Sequence, residues 1–516
     1  MVEPPLQVVE GTRAGSSLYY DNDCYLYFKE STRNGSTMVS TYFRCRRKYC
    51  TARLVWRTGQ QLCYSHKHNH SPEEEFLNDL KYRQKLRQRA SVENIPLSTI
   101  YNQEQEVSPQ LALSTRPYNG TVRKMMERAR KKNLPKVPRS IQEIDNFIRD
   151  ERAKKFRVEM GPEERPFYGG LLEVRIQNTV QRSIYFISPT VKKIAATKNN
   201  CVLQMDGTFS VVPKAVGIKQ LFCVHLLYSG HVFPIMYCLM ERRTTAAYEQ
   251  ILETLKNIVL PNKTVKKIMT DYEASLRKAL GKVFPEAQLL GCWFHFAKAV
   301  HKKAMKLGLG RQNVNRSIKE GSRMAMALPL LPEMSFEEGI EAIYGWMESH
   351  IDTEDEKKQM NLLCSYLRRW RNQNVSVYGQ EFRTNNAVES FHSTLVQMIG
   401  NPHVSFWRFI ESLRKVEHKK ACDAIRVHRG EYITMSRGQK LKRIQAALDK
   451  EKQRFDNDED RDIGLFLRKI SNIMKGEFDQ CQVEEEMNQE KTEIDTINGQ
   501  KTVEEIENTR FKEMEL

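Results

Sequence analysis

Three carboxylates and one group of thiols and imidazoles are the residues of this 516-residue chain whose types and spacing suit chemistry. In VLQMDGTFSVV (202–212), Leu203, Met205, Phe209 and Val211 fall on one face at period 2, and Gln204, Asp206, Thr208 and Ser210 on the other. The alternation predicts a core strand that delivers Asp206 as an acid on its polar side. Asp271 follows the apolar pair Ile268 and Met269 in KKIMTDYE, one strand-helix-strand interval later. Acids just past strand ends are where an α/β sheet presents its ligands. A third acid, Glu389, lies on a predicted helix in TNNAVESFHSTLVQMIGN, beside an apolar face of Val388, Phe391, Leu395 and Ile399. Thr384 or Asn385 starts that helix, and Gly400 and Pro402 end it. Carboxylates hold hard cations and a basic surround holds a polyanion, so the set suits metal-assisted phosphoryl transfer. Taken singly, each Asp is equally a cap or turn residue and Glu389 a surface residue.

The second group lies near the N-terminus. Cys45 and Cys50, four residues between them, are followed by Cys63, His66, His68 and His70. Two thiolates and two imidazoles suit tetrahedral zinc. A unit this small also needs a staple, because its core is limited. Cys292 and His295 form a further pair, Cys-x-x-His, in GCWFHF. Their chemistry leaves two readings: half of a zinc site, or a Cys and His packed where a strand meets helices.

The elements that position these groups follow from pattern and punctuation. Leu18 to Tyr20, Cys24 to Phe28, Met38 to Arg44 and Ala52 to Trp56 are short aromatic or β-branched runs divided by turn residues, which predicts a small all-β unit. FLNDLKYRQKLRQRASVE, PLSTIYNQEQE and TVRKMMERARKK read as helices separated by breaks at Pro96, Pro109 and Pro117. From about Tyr185 an α/β core begins: the strand of Asp206, then KQLFCVHLLY and HVFPIMYCLM joined at Ser229-Gly230, a helix TAAYEQILETLKNIV, the strand to Asp271, a helix SLRKALGKVFP, and AQLLGCWFHF as a further strand. Roughly ninety residues that read as helices follow before the helix of Glu389.

Composition limits the function classes. The net charge of +18 and a pI near 9.3 favour a polyanionic partner, nucleic acid or an anionic surface. The charge is uneven: residues 81–157 hold 19 basic and 8 acidic side chains, and residues 481–516 hold 4 and 11. No apolar run approaches the ~20 residues of a spanning helix, and the first residues lack the parts of a secretory signal. A soluble, intracellular protein is expected, with the eleven cysteines as metal ligands or buried thiols instead of a disulfide framework. The basic stretch 123–136 also fits a nuclear import signal.

Two resemblances sharpen this. Residues 17–70, with YFRC at 42–45, CTARLVW after it and HNH at 68–70, resemble a FLYWCH-type zinc finger, Phe43 standing where that family has Trp. By position the zinc ligands implied are Cys45, Cys50, His68 and His70, and the implied partner is DNA. Residues from about 195 to 400 resemble the catalytic domain of Mutator-like element (MULE) transposases, on DGTF at 206–209, TDYE at 270–273, GCWFHF at 291–296 and TNNAVESFH at 384–392. The metal-binding Asp, Asp and Glu of that family fall on Asp206, Asp271 and Glu389, which implies Mg²⁺ or Mn²⁺ as cofactor; Cys292 and His295 belong to the same resemblance without an assigned role.

The expected class is therefore α/β: a ribonuclease H-like catalytic core with a helical insertion, preceded by a small all-β zinc finger and a helical basic region. The expected divisions are a finger at 10–75, a basic helical region at 76–184, a catalytic domain at 185–400 with its insertion at about 298–380, C-terminal helices at 401–480 and an acidic tail at 481–516. DNA and further copies of the chain assembled on it are the expected partners, with no membrane, in the nucleus. Two functions fit: a DNA transposase that cuts and joins strands, or a domesticated, catalytically silent DNA-binding regulator that keeps the acids.

Overall fold

The computed structural model describes residues 6–478, apart from 12–14, 36–37, 94, 114–116, 134–137, 162, 210, 214–216, 310–315, 352, 372, 400–405, 432, 434–438 and 477. The expected acidic tail and the expected helix stop at Gly400 and Pro402 lie outside the described residues. The chain is a mixed α/β protein divided into two compact units, Met1–Val137 and Pro138–Leu516.

In the first unit six strands form one antiparallel sheet in sequence order: β1 (Gln7–Glu10), β2 (Ser17–Tyr20), β3 (Leu26–Asn34), β4 (Val39–Cys45), β5 (Arg53–Arg57) and β6 (Cys63–Tyr64). The alternation of β4 and β5 turns Phe43, Leu54 and Trp56 into a small core with Tyr27 and Leu6. The helices α1 (Glu74–Val92), α2 (Leu97–Val107), α3 (Pro109–Leu113) and α4 (Gly120–Asn133) follow. Leu77 and Leu80 of α1 pack with Val9, Leu18 and Leu26 of the sheet. Tyr82, Leu86 and Ala90, further along α1, pack instead with Ile100, Tyr101, Val122 and Met126. The basic helices thus have an apolar core of their own and share α1 with the sheet.

The second unit opens with α5 (Ile141–Arg149) and α6 (Lys154–Arg157), then an antiparallel pair of strands, β7 (Tyr168–Ile176) and β8 (Thr179–Ile187), and α7 (Pro189–Ala195). The sheet continues with β9 (Asn200–Thr208), β10 (Gln220–Tyr228) and β11 (His231–Met240), crosses through α8 (Thr245–Thr254) to β12 (Thr264–Thr270), and through α9 (Ala274–Val283) to β13 (Gln288–Gly291). The spatial order is β13-β12-β9-β10-β11-β8-β7. β9, β10 and β11 pair antiparallel, whereas β12 runs parallel to both β9 and β13. Residues 220–228 are an almost unbroken apolar run because both faces of β10 are covered. The β10–β11 turn has positive φ at Ser229 and Gly230, the primed geometry that a two-residue hairpin requires. Pro234 fits within β11 because a bulge opposite Val224 and His225 frees the extra residue Ile235, whose carbonyl accepts from the Ser188 N–H at 3.0 Å.

Two differences from the sequence pattern have local causes. The strand of Asp206 stops at Thr208 instead of running on to Val212, because Phe209 turns aside to lie against the Arg243 guanidinium, 5.1 Å from its ring centroid. The strand expected in AQLLGCWFHF stops at Gly291, and Trp293 begins α10 (Trp293–Lys306), whose buried Trp293, Phe296, Ala297 and Val300 follow helical spacing.

After α10 come α11 (Arg316–Ala327), α12 (Phe336–Glu348), α13 (Glu354–Arg368), α14 (Asn386–Ile399), α15 (Phe406–His428), α16 (Gln439–Asn457) and α17 (Ile463–Ile473). Helices α10 to α13 share one core with Leu448 and Phe455 of α16 and Phe466, Leu467 and Ile470 of α17. The C-terminal helices therefore complete the helical insertion. A second core joins α7, α8 and α9 to one face of the sheet through Leu203, Met205, Phe222, Val224 and Ile268. The opposite face, with Asp206, His225 and Tyr237, is covered by α14, whose Phe391 meets the rings of His225 and Tyr237.

Helix α15 carries a buried carboxyl, Glu417, which is 1% exposed and accepts from the Ser188 hydroxyl at 2.7 Å. Burial first, then the charge of Glu159, raises it to about 7, against the opposing pull of Ser188, Arg165 and Arg414. The unfolded chain releases this proton near the ordinary 4.5, so folding is increasingly penalised as pH rises from there to about 7, and the penalty is constant above. Glu417→Gln keeps the acceptor without the charge. We expect its melting temperature to match that of the parent at pH 4.5 and to exceed it at pH 8, where the difference corresponds to at most about 3 kcal/mol. A pH-independent difference in melting temperature would contradict this.

Candidate functional site

Strand β4 ends on Cys45, and the turn that follows it returns Cys50 to the same place, where both sulfurs are buried. The chain beyond β6 brings His68 and His70 to them. Cys45 Sγ lies 3.2 Å from His70 Nε2, Cys50 Sγ 3.4 Å from His68 Nδ1, and the two ring nitrogens 3.3 Å apart. One ligand atom from each of the four lies within 4.8 Å of the others, and among the described residues this is the only such group of three or more His, Cys, Asp or Glu. The donor set could bind zinc. Cys63 and His66, the other candidates in the sequence, are exposed and outside it.

The neighbours of the two imidazoles fix their orientation, which spacing could not reveal. His68 stacks on Tyr25 with ring centroids 3.7 Å apart, and its Nε2 meets the Tyr27 hydroxyl at 2.9 Å. That hydroxyl donates onward to Asp21 at 2.7 Å. His70 has Nδ1 at 2.8 Å from the Ser71 carbonyl, leaving Nε2 for the cluster. Such partners hold the ring and tautomer of a metal-binding His.

In the second unit the register of three strands aligns the other candidates. Ile268 and Met269 of β12 pair with Leu203 and Gln204 of β9, so continuing the register by two residues sets Asp271 opposite Asp206. On the other side Thr270 pairs with Gly291, which sets Cys292 beside Asp271. Asp206 and Asp271 are 7% and 6% exposed, acids at neighbouring strand ends under a protein cover. Helix α14 packs on β9, the strand of Asp206. Asn385, fully buried just before α14, donates its side-chain N–H to the Met205 carbonyl at 3.2 Å and its backbone N–H to Cys292 Sγ at 3.3 Å. The start of α14 is thereby tied to β9 and to the residue that follows β13.

Glu389, in the first turn of α14, is half-buried. Its charge reaches Cys292: burial mainly, and Glu389 next, push that thiol up to about 12. One turn further on, His392 Nδ1 lies 3.8 Å from Asp206 Oδ2. Burial pulls this imidazole down to about 4, so at neutral pH the two form no ion pair. Asp206 and Asp271 lie side by side at the sheet end, and Glu389 stands in the first turn of the helix that packs on β9; these three do not form a group as tight as the cysteine and histidine set. Cys292 is fully buried at the N-cap position of α10, and His295 is half-buried in the first turn of that helix; neither belongs to a group of three ligand residues among those described.

Residues 202–299 match the MULE transposase domain. The matched segment holds Asp206, Asp271, Cys292 and His295 and ends before Glu389, which lies on α14. No curated protein matches the chain. Among the described residues no helix is long and apolar enough to cross a membrane.

The sequence assigns no part in the site to His392 or to the Asn385 side chain. The signal for His392 was its place three residues after Glu389, on the same helix face.

Proposed function

We propose that this protein is a DNA transposase that binds DNA through the N-terminal finger, a FLYWCH-type unit, and cuts and joins strands at a ribonuclease H-like core. The observation that carries the reading is the alignment of Asp206 and Asp271 on adjacent parallel strand ends beneath the helix of Glu389, in the segment that matches the MULE transposase domain. A central antiparallel trio of strands followed by two parallel ones supports the fold assignment.

The donors are all carboxylate oxygens, a hard set that suits Mg²⁺ or Mn²⁺. Asp206, Asp271 and Glu389 would hold the ions, and bound ions would activate the attacking oxygen and stabilise the leaving one. The chain's own part is to fix these carboxylates: Asp206 within a paired strand, Asp271 through the Glu273 N–H at 3.2 Å, and Glu389 through the tethers of Asn385. Arg47 and Lys48 and the ring of Tyr49, which is 81% exposed, stand beside the ligand Cys50 and offer contacts to phosphate and base. Action in the nucleus, and assembly of several copies on DNA, form part of the proposal.

A cleavage assay on duplexes that carry the ends of the element encoding this chain tests the reading, with Mg²⁺ or Mn²⁺ present. Strand cutting is the expected result; binding without cutting leaves the silent DNA-binding regulator as the function. Deleting residues 1–137 separates the two activities. The remaining compact unit should keep its fold, while specific binding weakens and the slope of log affinity against log salt falls by about 0.9 for each phosphate that the shortened chain does not neutralise. An unchanged slope would place the DNA surface in the second unit.

A further inference from the structure

The two acid-bearing segments are joined from behind by a buried polar chain. Gly207, next to Asp206, alternates to the other side of β9, where a Cβ would stand 2.8 Å from Gln220 Oε1. Glycine is what lets the Gln220 amide lie against this strand. Gln220, fully buried, donates from Nε2 to the Tyr248 hydroxyl at 2.6 Å, and that hydroxyl donates to Glu273 Oε1 at 3.1 Å. The second oxygen of Glu273 lies 3.8 Å from the Arg243 guanidinium, the same group that rests over Phe209. The Glu273 N–H, finally, donates to Asp271 Oδ1 at 3.2 Å.

This arrangement decides between two roles for Glu273. It is 9% exposed and only two residues from Asp271, so it stands close enough to be taken for a third carboxylate of the site. Both its oxygens, however, point at donors of the protein, one a phenol and the other a guanidinium. A cation beside Arg243 would also be repelled. An anchored Glu273 side chain instead fixes its own peptide, and so the N–H that holds Asp271. At the other end the Gln220 amide lies against Gly207, the residue after Asp206.

We propose that Glu273, with Tyr248, Gln220 and Arg243, is a positioning unit that sets the spacing of Asp206 and Asp271 for a divalent cation, and that Glu273 is not itself a ligand. The proposal rests on the transposase reading and assigns a task to Gly207, Phe209 and Glu273 in the DGTF and TDYE motifs. Partners of this kind typically change metal affinity by about 10- to 100-fold.

The test is Mn²⁺ binding to the full-length chain, followed by electron paramagnetic resonance, together with the Mn²⁺ dependence of cleavage. Glu273→Gln removes the charge that faces Arg243, and Tyr248→Phe removes the hydroxyl without creating a cavity, so at least the second should fold. Each is expected to raise the Mn²⁺ concentration for half-saturation by about tenfold or more, while the rate at saturating Mn²⁺ stays within about threefold of the parent. A role in stability alone would lower the melting temperature and leave half-saturation where it was, which overturns the proposal. Loss of Mn²⁺ binding at every concentration in Glu273→Gln, as expected of Asp206→Asn, would make Glu273 a ligand and overturn it as well. If Asp206→Asn and Asp271→Asn bind Mn²⁺ like the parent, it is the catalytic reading that fails; if they do not, a failure of Glu273→Gln to shift the midpoint counts against the positioning unit alone.

Discussion

Asp206→Asn, Asp271→Asn and Glu389→Gln are each expected to abolish Mg²⁺-dependent strand cleavage while leaving DNA binding by the first unit unchanged. Each replacement keeps the size of the side chain and removes a charged oxygen ligand. Metal ions supply several kcal/mol of transition-state stabilisation in phosphoryl transfer, so the expected drop in rate is on the order of 10³-fold or more. The structure gives reasons why the fold should tolerate the changes. Asp206 lies on a strand paired on both sides, Asp271 directly past one, and Glu389 is half-buried on a helix anchored by Asn385 and Phe391. Single-turnover cleavage with pre-bound DNA separates chemistry from binding. Normal cutting by Glu389→Gln would remove the third ligand from the proposal, and His392, 3.8 Å from Asp206, would become the group to examine on α14.

The acids were legible in the sequence because their signals are local. Asp206 falls on the polar side of an apolar alternation, Asp271 follows an apolar pair, and Glu389 borders a helical stripe whose four apolar residues are all buried in α14. The four clustered cysteines and histidines were legible for the same reason, as a short spacing. What could not be read depends on contacts between distant segments. Gln220, Tyr248 and Glu273 are ordinary polar residues in sequence, and only the pairing of β9 with β10 and the packing of α8 on α9 bring them into line. The hairpin of β7 and β8 has no clear strand pattern in sequence, because Glu173, Arg175, Gln181 and Arg182 interrupt it. Its Gly169 is understood only against the ring of Tyr185, which a Cβ would meet at 2.1 Å. The aromatic run after Gly291 reads as strand by propensity, yet the α10 core requires its residues at helical spacing.

Removing zinc is expected to unfold the six-stranded sheet and leave the second unit intact. Two small groups, Leu6, Tyr27, Phe43, Leu54 and Trp56 on one side and Val9, Leu18, Leu26, Leu77 and Leu80 on the other, are the apolar cores this sheet shares in. Structural zinc in small fingers contributes an apparent folding free energy of about 10 to 16 kcal/mol, more than most small domains have in total. The ends that the metal would tie are β4 and its following turn through Cys45 and Cys50, and the segment after β6 through His68 and His70. Cys45→Ser, or a strong chelator, should therefore strip amide-exchange protection from β3, β4 and β5, while β9, β10 and β11 keep theirs. Helices α2 and α4 pack on the far half of α1 and should respond less than the sheet. One zinc per chain is expected by mass spectrometry under native conditions. Cys63→Ser and His66→Ala, both exposed and outside the cluster, should keep the zinc and the protection. Tyr27→Phe should bind zinc about 10- to 100-fold more weakly, because it lacks the hydroxyl that holds His68 Nε2. Full protection of β4 and β5 in the metal-free chain would mean that the sheet stands on its apolar contacts alone, and the cluster would then be a dispensable metal site instead of the staple of the fold.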